Sequence, residues 1–364
     1  MKMDKNMLKV AFLGCGRIAK RHAEIIGGGV IKGAKLVALC DVDENKAKVM
    51  SDQYSIPYYC NFKKMIDEQD IDLVSILTPS GMHAEHVMQA SEFKKHIVVE
   101  KPMALTVPDA EKMIKSCSEN NVKLFVVKQN RFNLPVIKLR EAIENNRFGK
   151  KVLGTVRVRW CRDQKYYDLD KWRGTWAQDG GVFTNQASHH IDLLNWMMGD
   201  VVSVFAKSST ALVDIETEDT GIAILTFKDG SKGIVEATTA TRPKDLEGSL
   251  SILGEKGTVE IGGFAVNKLI NWSFQDYTDA DKNILNEFST NPPDVYGFGH
   301  TAYYNHIVDC LQKGVEPIVD GAEGIKSIKL ISAIYASIET GKEVFLKDNP
   351  TSNFLGKQKH ELKL

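Results

Sequence analysis

Leu8-Lys9-Val10-Ala11-Phe12-Leu13 runs directly into Gly14-Cys15-Gly16-Arg17-Ile18-Ala19, and a second apolar run, Lys35 to Cys40, ends in Asp41. Gly14 permits a tight strand-to-helix turn, Gly16 lets the backbone approach a pyrophosphate, and the small Ala19 lets the helix pack on the strand. Gly14, Gly16, Arg17 and Ile18 therefore belong where a dinucleotide's phosphates meet a helix N-terminus, whose unpaired N–H groups and dipole favour an anion. Asp41 stands about 20 residues beyond the glycines, where a carboxylate accepts both ribose hydroxyls and repels a 2′-phosphate. Val42 to Asn45 contain no Arg or Lys, so NAD is favoured over NADP.

Outward from this stretch, apolar strands alternate with helical segments as far as residue 128: Ile18 to Gly27, Glu44 to Gln53, DLVSILTP, HAEHVMQASEF, HIVVEKP, Pro108 to Asn120 and KLFVVKQN. Such alternation predicts a doubly wound parallel sheet of the Rossmann type, in which ligands collect at the carboxyl ends of strands. Those ends are Gly14, Asp41, Thr78-Pro79, Glu100-Lys101 and Gln129-Asn130. Beyond residue 130, a helix from Pro135 to Asn146 precedes strand-like segments such as VLGTVRVRW, GIAILTFKDG and KGIVEATTA. The turns Lys228-Asp229-Gly230 and Gly254-Glu255-Lys256-Gly257 imply antiparallel hairpins. The chain thus reads as α/β, with a dinucleotide-binding domain over 1–128 and an α+β domain over 129–364 built on a large, mostly antiparallel sheet. A long polar and aromatic insertion, Asp163 to Gly181, marks a functional loop, and the polar stretch Tyr277 to Pro293 reads as a mobile one.

The bulk numbers exclude several classes. In 364 residues, 47 basic side chains balance 47 acidic ones, so neither nucleic acid nor a membrane surface is an expected partner. No signal peptide and no apolar run of roughly 18 residues is found, and a cytoplasmic location is expected. The six cysteines show no CxxC spacing, which argues against a zinc ribbon and against a disulfide framework.

Two places carry chemistry. Lys101 ends the strand HIVVE where a nicotinamide ring would lie, and Pro102 disfavours helix at the lysine; a cation there can meet a substrate hydroxyl. Asn185-Gln186-Ala187-Ser188-His189-His190-Ile191-Asp192 starts an amphipathic helix, placing Asn185 and His189 on one face if the turn is helical. The adjacent histidines point to different sides and lack a third ligand of suitable spacing, so no metal is expected.

GCGRIAKRH, VEKPMA, and WRGTW followed by GGVFTNQASHHID together resemble the glucose–fructose oxidoreductase/inositol dehydrogenase (Gfo/Idh/MocA) family over about residues 7 to 345. QNRFNLPV, the segment from Arg162 to Val201, and HTAYYNHI are similar to its sugar-nucleotide branch. That branch contains the UDP-N-acetylglucosaminuronate 3-dehydrogenases of bacterial surface-polysaccharide (lipopolysaccharide, O-antigen) pathways. The resemblance implies oxidation of a secondary hydroxyl with hydride passed to nicotinamide C4. Lys101 and His189 match the lysine and histidine that act on the hydroxyl proton. A base must take that proton and a cation must stabilise the developing alkoxide; an imidazole suits the first role and a positioned ammonium the second. Many members carry Asp where this chain has Asn185, which is expected to orient substrate or His189.

By the same resemblance, Thr78, Pro79, Ser80 and His83 are expected around the cofactor, together with the strand-end residues Glu100 and Gln129. Arg131, Arg173, Tyr166, Tyr167 and Tyr304 join Lys101, Asn185 and His189 around a uronate or diphosphate and its rings. A UDP-sugar is the expected substrate, 2-oxoglutarate a candidate hydride acceptor, and a homo-oligomer, dimer or tetramer, is expected through the outer sheet face. Competing readings are an NAD-dependent glycosidase, a dehydrogenase of free polyols such as inositol, and a non-catalytic dinucleotide and sugar binder; a binder has no need of a base beside a cation.

Overall fold

The computed structural model describes residues 7–288 and 299–362. The chain divides into two units: residues up to Ala104 with Pro108–Gln129 and His300–Ile325 form the first, and Leu105–Val107, Asn130–Gly299 and Lys326 onward form the second.

In the first unit the strands are β1 (Leu8–Leu13), β2 (Ala34–Cys40), β3 (Tyr58–Tyr59), β4 (Leu73–Ile76), β5 (His96–Val99) and β6 (Leu124–Val126). The helices are α1 (Arg17–Ile26), α2 (Glu44–Tyr54), α3 (Phe62–Glu68), α4 (His83–Glu92) and α5 (Val107–Glu119). The strand order is β3-β2-β1-β4-β5-β6, with every pair parallel. Near-continuous burial along β4, β5 and β6 is what a sheet covered on both faces requires. The order reverses between β1 and β4, and that switch point is where such sheets bind ligands. Asp43 caps α2, its carboxylate accepting the Asn45 and Lys46 N–H groups.

The sequential division at 128/129 omits one crossing of the chain. Most of the helix Gly299–Gln312 and the segment after it belong to the first unit, where Gln312 Nε2 donates to the Gly33 carbonyl at 3.1 Å. The Val126 N–H donates to the Val319 carbonyl at 3.2 Å. These pairings join residues far apart in sequence, and no local pattern announces them.

The second unit holds one sheet of β7 (Lys151–Arg159), β8 (Val201–Ser209), β9 (Thr220–Phe227), β10 (Lys232–Thr238), β11 (Glu247–Gly254), β12 (Gly257–Gly262), β13 (Lys268–Phe274) and β14 (Val344–Phe345). Its order is β13-β12-β11-β7-β10-β9-β8-β14. Only β7 and β10 pair in parallel; the other pairs are antiparallel, including the two expected hairpins. Alternating residues of the strands, such as Val156, Val158, Leu225, Val235 and Ile252, share a core with the helices Ser188–Met198 and Gly321–Thr340. Gly154 allows the close approach: a Cβ there would lie 2.7 Å from Leu194 and Met198. The opposite face leaves Val202, Phe205, Ile222, Ile224 and Ile270 exposed.

The expected loop from Tyr277 is anchored over its described part. Asp281 pairs with Arg147 at 2.9 Å and accepts the Trp272 indole N–H at 2.6 Å. The rest of that stretch, 289–293, lies outside the described residues. Among the described residues no helix is long and apolar enough to cross a membrane.

Candidate active site

At the end of β1, Gly14 adopts φ +102°, and a Cβ there would lie 2.8 Å from the Leu77 carbonyl carbon and oxygen. Gly16 is the N-cap of α1 and offers no side-chain acceptor to the first turn; a Cβ on it would meet nothing within 4 Å. Open space over the unfilled N–H groups that begin at Arg17 and Ile18 is the cradle a diphosphate needs. Asp41 Oδ2 accepts the Cys15 N–H at 2.6 Å and Oδ1 accepts the Asp43 N–H at 2.9 Å, which fixes the carboxylate beside the glycine turn. The donor and acceptor set fits a dinucleotide with a free ribose 2′-hydroxyl.

The turn after β4 carries Thr78, whose hydroxyl meets His86 Nδ1 at 2.9 Å, then Pro79 and the buried Ser80. His83 is buried, with Nδ1 2.8 Å from the Pro102 carbonyl and Nε2 2.9 Å from that of Thr78. Burial lowers its pKa, and the ring braces the turns after β4 and β5. Gln129 is buried in the single turn Gln129–Phe132. Lys101 is half-buried, and its peptide bond to Pro102 is cis.

Glu100 and Tyr304 come together in the first unit. Both are buried in the first unit, within one cluster: His22 Nε2 lies 2.8 Å from Glu100 Oε1, and His22 Nδ1 lies 2.5 Å from the Tyr304 hydroxyl. That hydroxyl lies 3.1 Å from Ser75 Oγ, and Glu100 Oε2 accepts the Lys101 N–H at 2.9 Å. His22, Glu100 and His300 bring three ligand-type atoms within 4.8 Å of one another. Both His22 nitrogens are already matched to oxygen partners, so the group is a hydrogen-bonded cluster.

In the second unit the segment GGVFTNQASHH changes helix type. Val182–Gln186 is a π-helical turn and Ser188–Met198 an α-helix, so Asn185 and His189 do not belong to one continuous α-helix. Remote groups impose the wide turn. The Phe183 N–H donates to Glu218 Oε1 at 3.2 Å, and the Gly181 N–H donates to the Tyr335 hydroxyl at 3.1 Å. Tyr335 in turn donates to Glu218 Oε1 at 2.7 Å. Burial raises the Glu218 carboxyl to about 7, against the hydrogen bonds from Tyr335 and the backbone. π-Turns of this kind cluster at functional sites.

Around Asn185 the structure assembles several expected residues. Its amide donates to Asp179, whose other oxygen accepts the Gly174 N–H at 2.7 Å. Gln186 Nε2 donates to Asn185 Oδ1 at 3.0 Å and reaches the Tyr166 hydroxyl at 3.2 Å, and Arg173 donates to that hydroxyl at 2.9 Å. Tyr167 is buried, its hydroxyl 3.1 Å from Thr239 Oγ1. Arg131 is no free cation. It forms a bidentate pair with Asp192 at 2.8 Å, the two side chains 2% and 3% exposed, and so anchors the helix that carries His189. His189 is buried at 7% exposure, and His190 packs edge-on against Trp160. Sequence reasoning passed over His22, Asp179, Glu218 and Tyr335; the one local hint was a buried-type acid, Asp179, directly before Gly180-Gly181.

A reversed parallel sheet with a glycine cradle and a strand-end acid at its switch point defines a dinucleotide-binding oxidoreductase unit. Comparison with known proteins narrows this class. Residues 8–128 match the family model for the oxidoreductase family's NAD-binding Rossmann fold, and residues 140–346 match that for its C-terminal alpha/beta domain. The chain belongs to the Gfo/Idh/MocA oxidoreductase family and is an NAD-dependent oxidoreductase.

The WlbA dehydrogenase of Bordetella pertussis, solved in complex with NADH and UDP-GlcNAcA, is 40% identical with a TM-score of 0.90, covering 94% of this chain and 99% of that one. The WlbA dehydrogenase of Chromobacterium violaceum, solved with the same ligands, is 38% identical with a TM-score of 0.88, covering 94% and 97%. Myo-inositol 2-dehydrogenase of Thermotoga maritima is 26% identical over 347 residues, 94% of this chain and 99% of that protein.

Proposed function

We propose that this protein oxidises the C3 hydroxyl of a UDP-N-acetylhexosaminuronate, as a UDP-GlcNAcA 3-dehydrogenase. The observation that carries this reading is 40% identity, sustained over 94% of the chain, to a dehydrogenase crystallised with NADH and UDP-GlcNAcA. Bound NAD supplies the hydride acceptor at nicotinamide C4. His189 takes the hydroxyl proton, Lys101 stabilises the oxygen as negative charge develops, and Asn185, held by Asp179, orients the reacting group. Gly14, Gly16, Arg17, Ile18 and Asp41 hold the cofactor, with Thr78, Pro79, Ser80 and Gln129 lining it. Tyr166 and Arg173 bind the substrate, with Tyr167 edge-on to Tyr166. The domains run over 1–128 and 129–364, the latter lending its return helix to the first unit.

In this reading the enzyme works in the cytoplasm on a precursor of surface polysaccharide. 2-Oxoglutarate reoxidises NADH, and the exposed apolar strand face that includes Ile222 and Ile224 closes a dimer or tetramer. The myo-inositol dehydrogenase relative supports a second reading, oxidation of a free polyol. Initial rates of NADH formation with UDP-GlcNAcA and with myo-inositol separate the two. A preference for the sugar nucleotide supports the first; turnover of inositol alone replaces it with the second.

A further inference from the structure

The buried cluster in the first unit has no place in the reaction as described above, yet it ends at the residue that reaction depends on. We propose that Glu100 and His22 are positioning residues for Lys101: the Glu100 carboxylate accepts the lysine's own backbone N–H and is held by the imidazole from α1, setting a fixed negative charge beside the strand-end cation. The inference rests on the reading of Lys101 as the group that stabilises the developing alkoxide.

Three elements converge on that carboxylate. α1 supplies His22, at 2.8 Å from Oε1. The helix Gly299–Gln312 supplies Tyr304, bonded to His22 and to Ser75 of β4, and His300, whose ring lies edge-on to His22 with centroids 5.4 Å apart. The end of β5 supplies Glu100 itself, with Oε2 on the Lys101 N–H at 2.9 Å. The residues are closed off from solvent: His22, His300 and Tyr304 are at most 1% exposed and Glu100 is 5% exposed. The titratable or charged groups facing the carboxylate are His22, His300, Lys101, Tyr303, Tyr304 and His83. Burial pushes the Glu100 carboxyl up, but the hydrogen bond from His22 and the neighbouring His22, His300 and Lys101 side chains outweigh it and hold the group at about 2. As a carboxylate the group accepts at both oxygens, from the Lys101 N–H at Oε2 and from His22 Nε2 at Oε1. α1 begins at the phosphate cradle, so the same helix that receives the cofactor also holds the acid behind the lysine.

A buried negative charge beside Lys101 favours its ammonium form. Glu100→Gln keeps the shape and an oxygen for the Lys101 N–H but removes the charge. It is expected to leave the Kd for NAD within about threefold, to lower kcat by about tenfold or more, and to move the alkaline limb of kcat down by about one pH unit. His22→Asn, which keeps the charge and loosens its hold, is expected to lower kcat about fivefold or more with a smaller shift of that limb.

Lys101→Met serves as the reference. If it abolishes turnover while Glu100→Gln and His22→Asn keep the native kcat and pH profile, the positioning role is overturned. If Lys101→Met itself keeps turnover, the reading of the reaction fails instead, and the positioning role with it. Should Glu100→Gln not fold, His22→Asn decides alone: NAD binding retained with kcat lowered supports the role, and native kcat overturns it.

Discussion

The Asp179 carboxylate accepts a hydrogen bond from the Asn185 side-chain amide, so a carboxylate lies one side chain away from position 185. Two adjoining carboxylates resist joint ionisation. Asn185→Asp is therefore expected to lower kcat at pH 8 and to recover part of it as the pH falls and the pair takes up one proton. A pH profile flat relative to the native enzyme would contradict the pairing. Asp179→Ala, which frees the amide, is expected to lower kcat about tenfold with NAD affinity intact, read by steady-state kinetics and cofactor titration.

Glu218 makes stability depend on pH. Its carboxyl is raised from 4.5 to about 7 in the fold, so between those values the native state holds a proton that the unfolded chain has lost. Stability is then greatest below the unfolded value and falls as pH rises through about 7. Glu218→Gln removes that dependence, and relative to the native protein it should gain stability from pH 5 to pH 8, on the order of a few kcal/mol. Denaturant unfolding of both proteins at the two pH values measures it; a constant difference would refute the assignment.

Much of the fold that carries the candidate site was legible because its signals are local. The run from Leu8 into Gly14 and Gly16 needs only strand burial and a turn requiring positive φ, and Asp41 follows from the next strand's end. The hairpins β9-β10 and β11-β12 likewise announce themselves through Gly-containing turns between alternating strands. The π-turn at Asn185 was not legible, because Glu218 and Tyr335, remote in sequence, hold its N–H groups. The hydrogen bonds of Glu100 and Tyr304 to His22 were hidden for the same reason: they join the end of β5, α1 and the helix Gly299–Gln312. Arg131 read as a cation available to a uronate or diphosphate because nothing nearby in sequence reveals its bidentate partner, Asp192.

Arg131 now calls for a stability experiment. Removing one member of a buried ion pair leaves the other charge uncompensated, at a cost of about 3–5 kcal/mol. Arg131→Ala should lower the melting temperature accordingly. Native stability with a raised KM for substrate alone would instead mean that the guanidinium serves the ligand.

At the cofactor, Asp41→Ala should weaken NAD binding by about tenfold to a hundredfold, the worth of hydrogen bonds to a charged group, and should narrow the discrimination against NADP. Fluorescence titration with both cofactors reads the two constants, and an unchanged ratio would remove Asp41 from the ribose.

The most direct measurement follows the hydride itself. UDP-GlcNAcA carrying deuterium at C3 is incubated with the enzyme and NAD, and the reduced cofactor and sugar are examined by mass spectrometry and NMR. The account predicts deuterium at nicotinamide C4 and a 3-keto sugar nucleotide with its UDP still attached. Unlabelled NADH, or release of free sugar with deuterium returned and no net NADH, would contradict it.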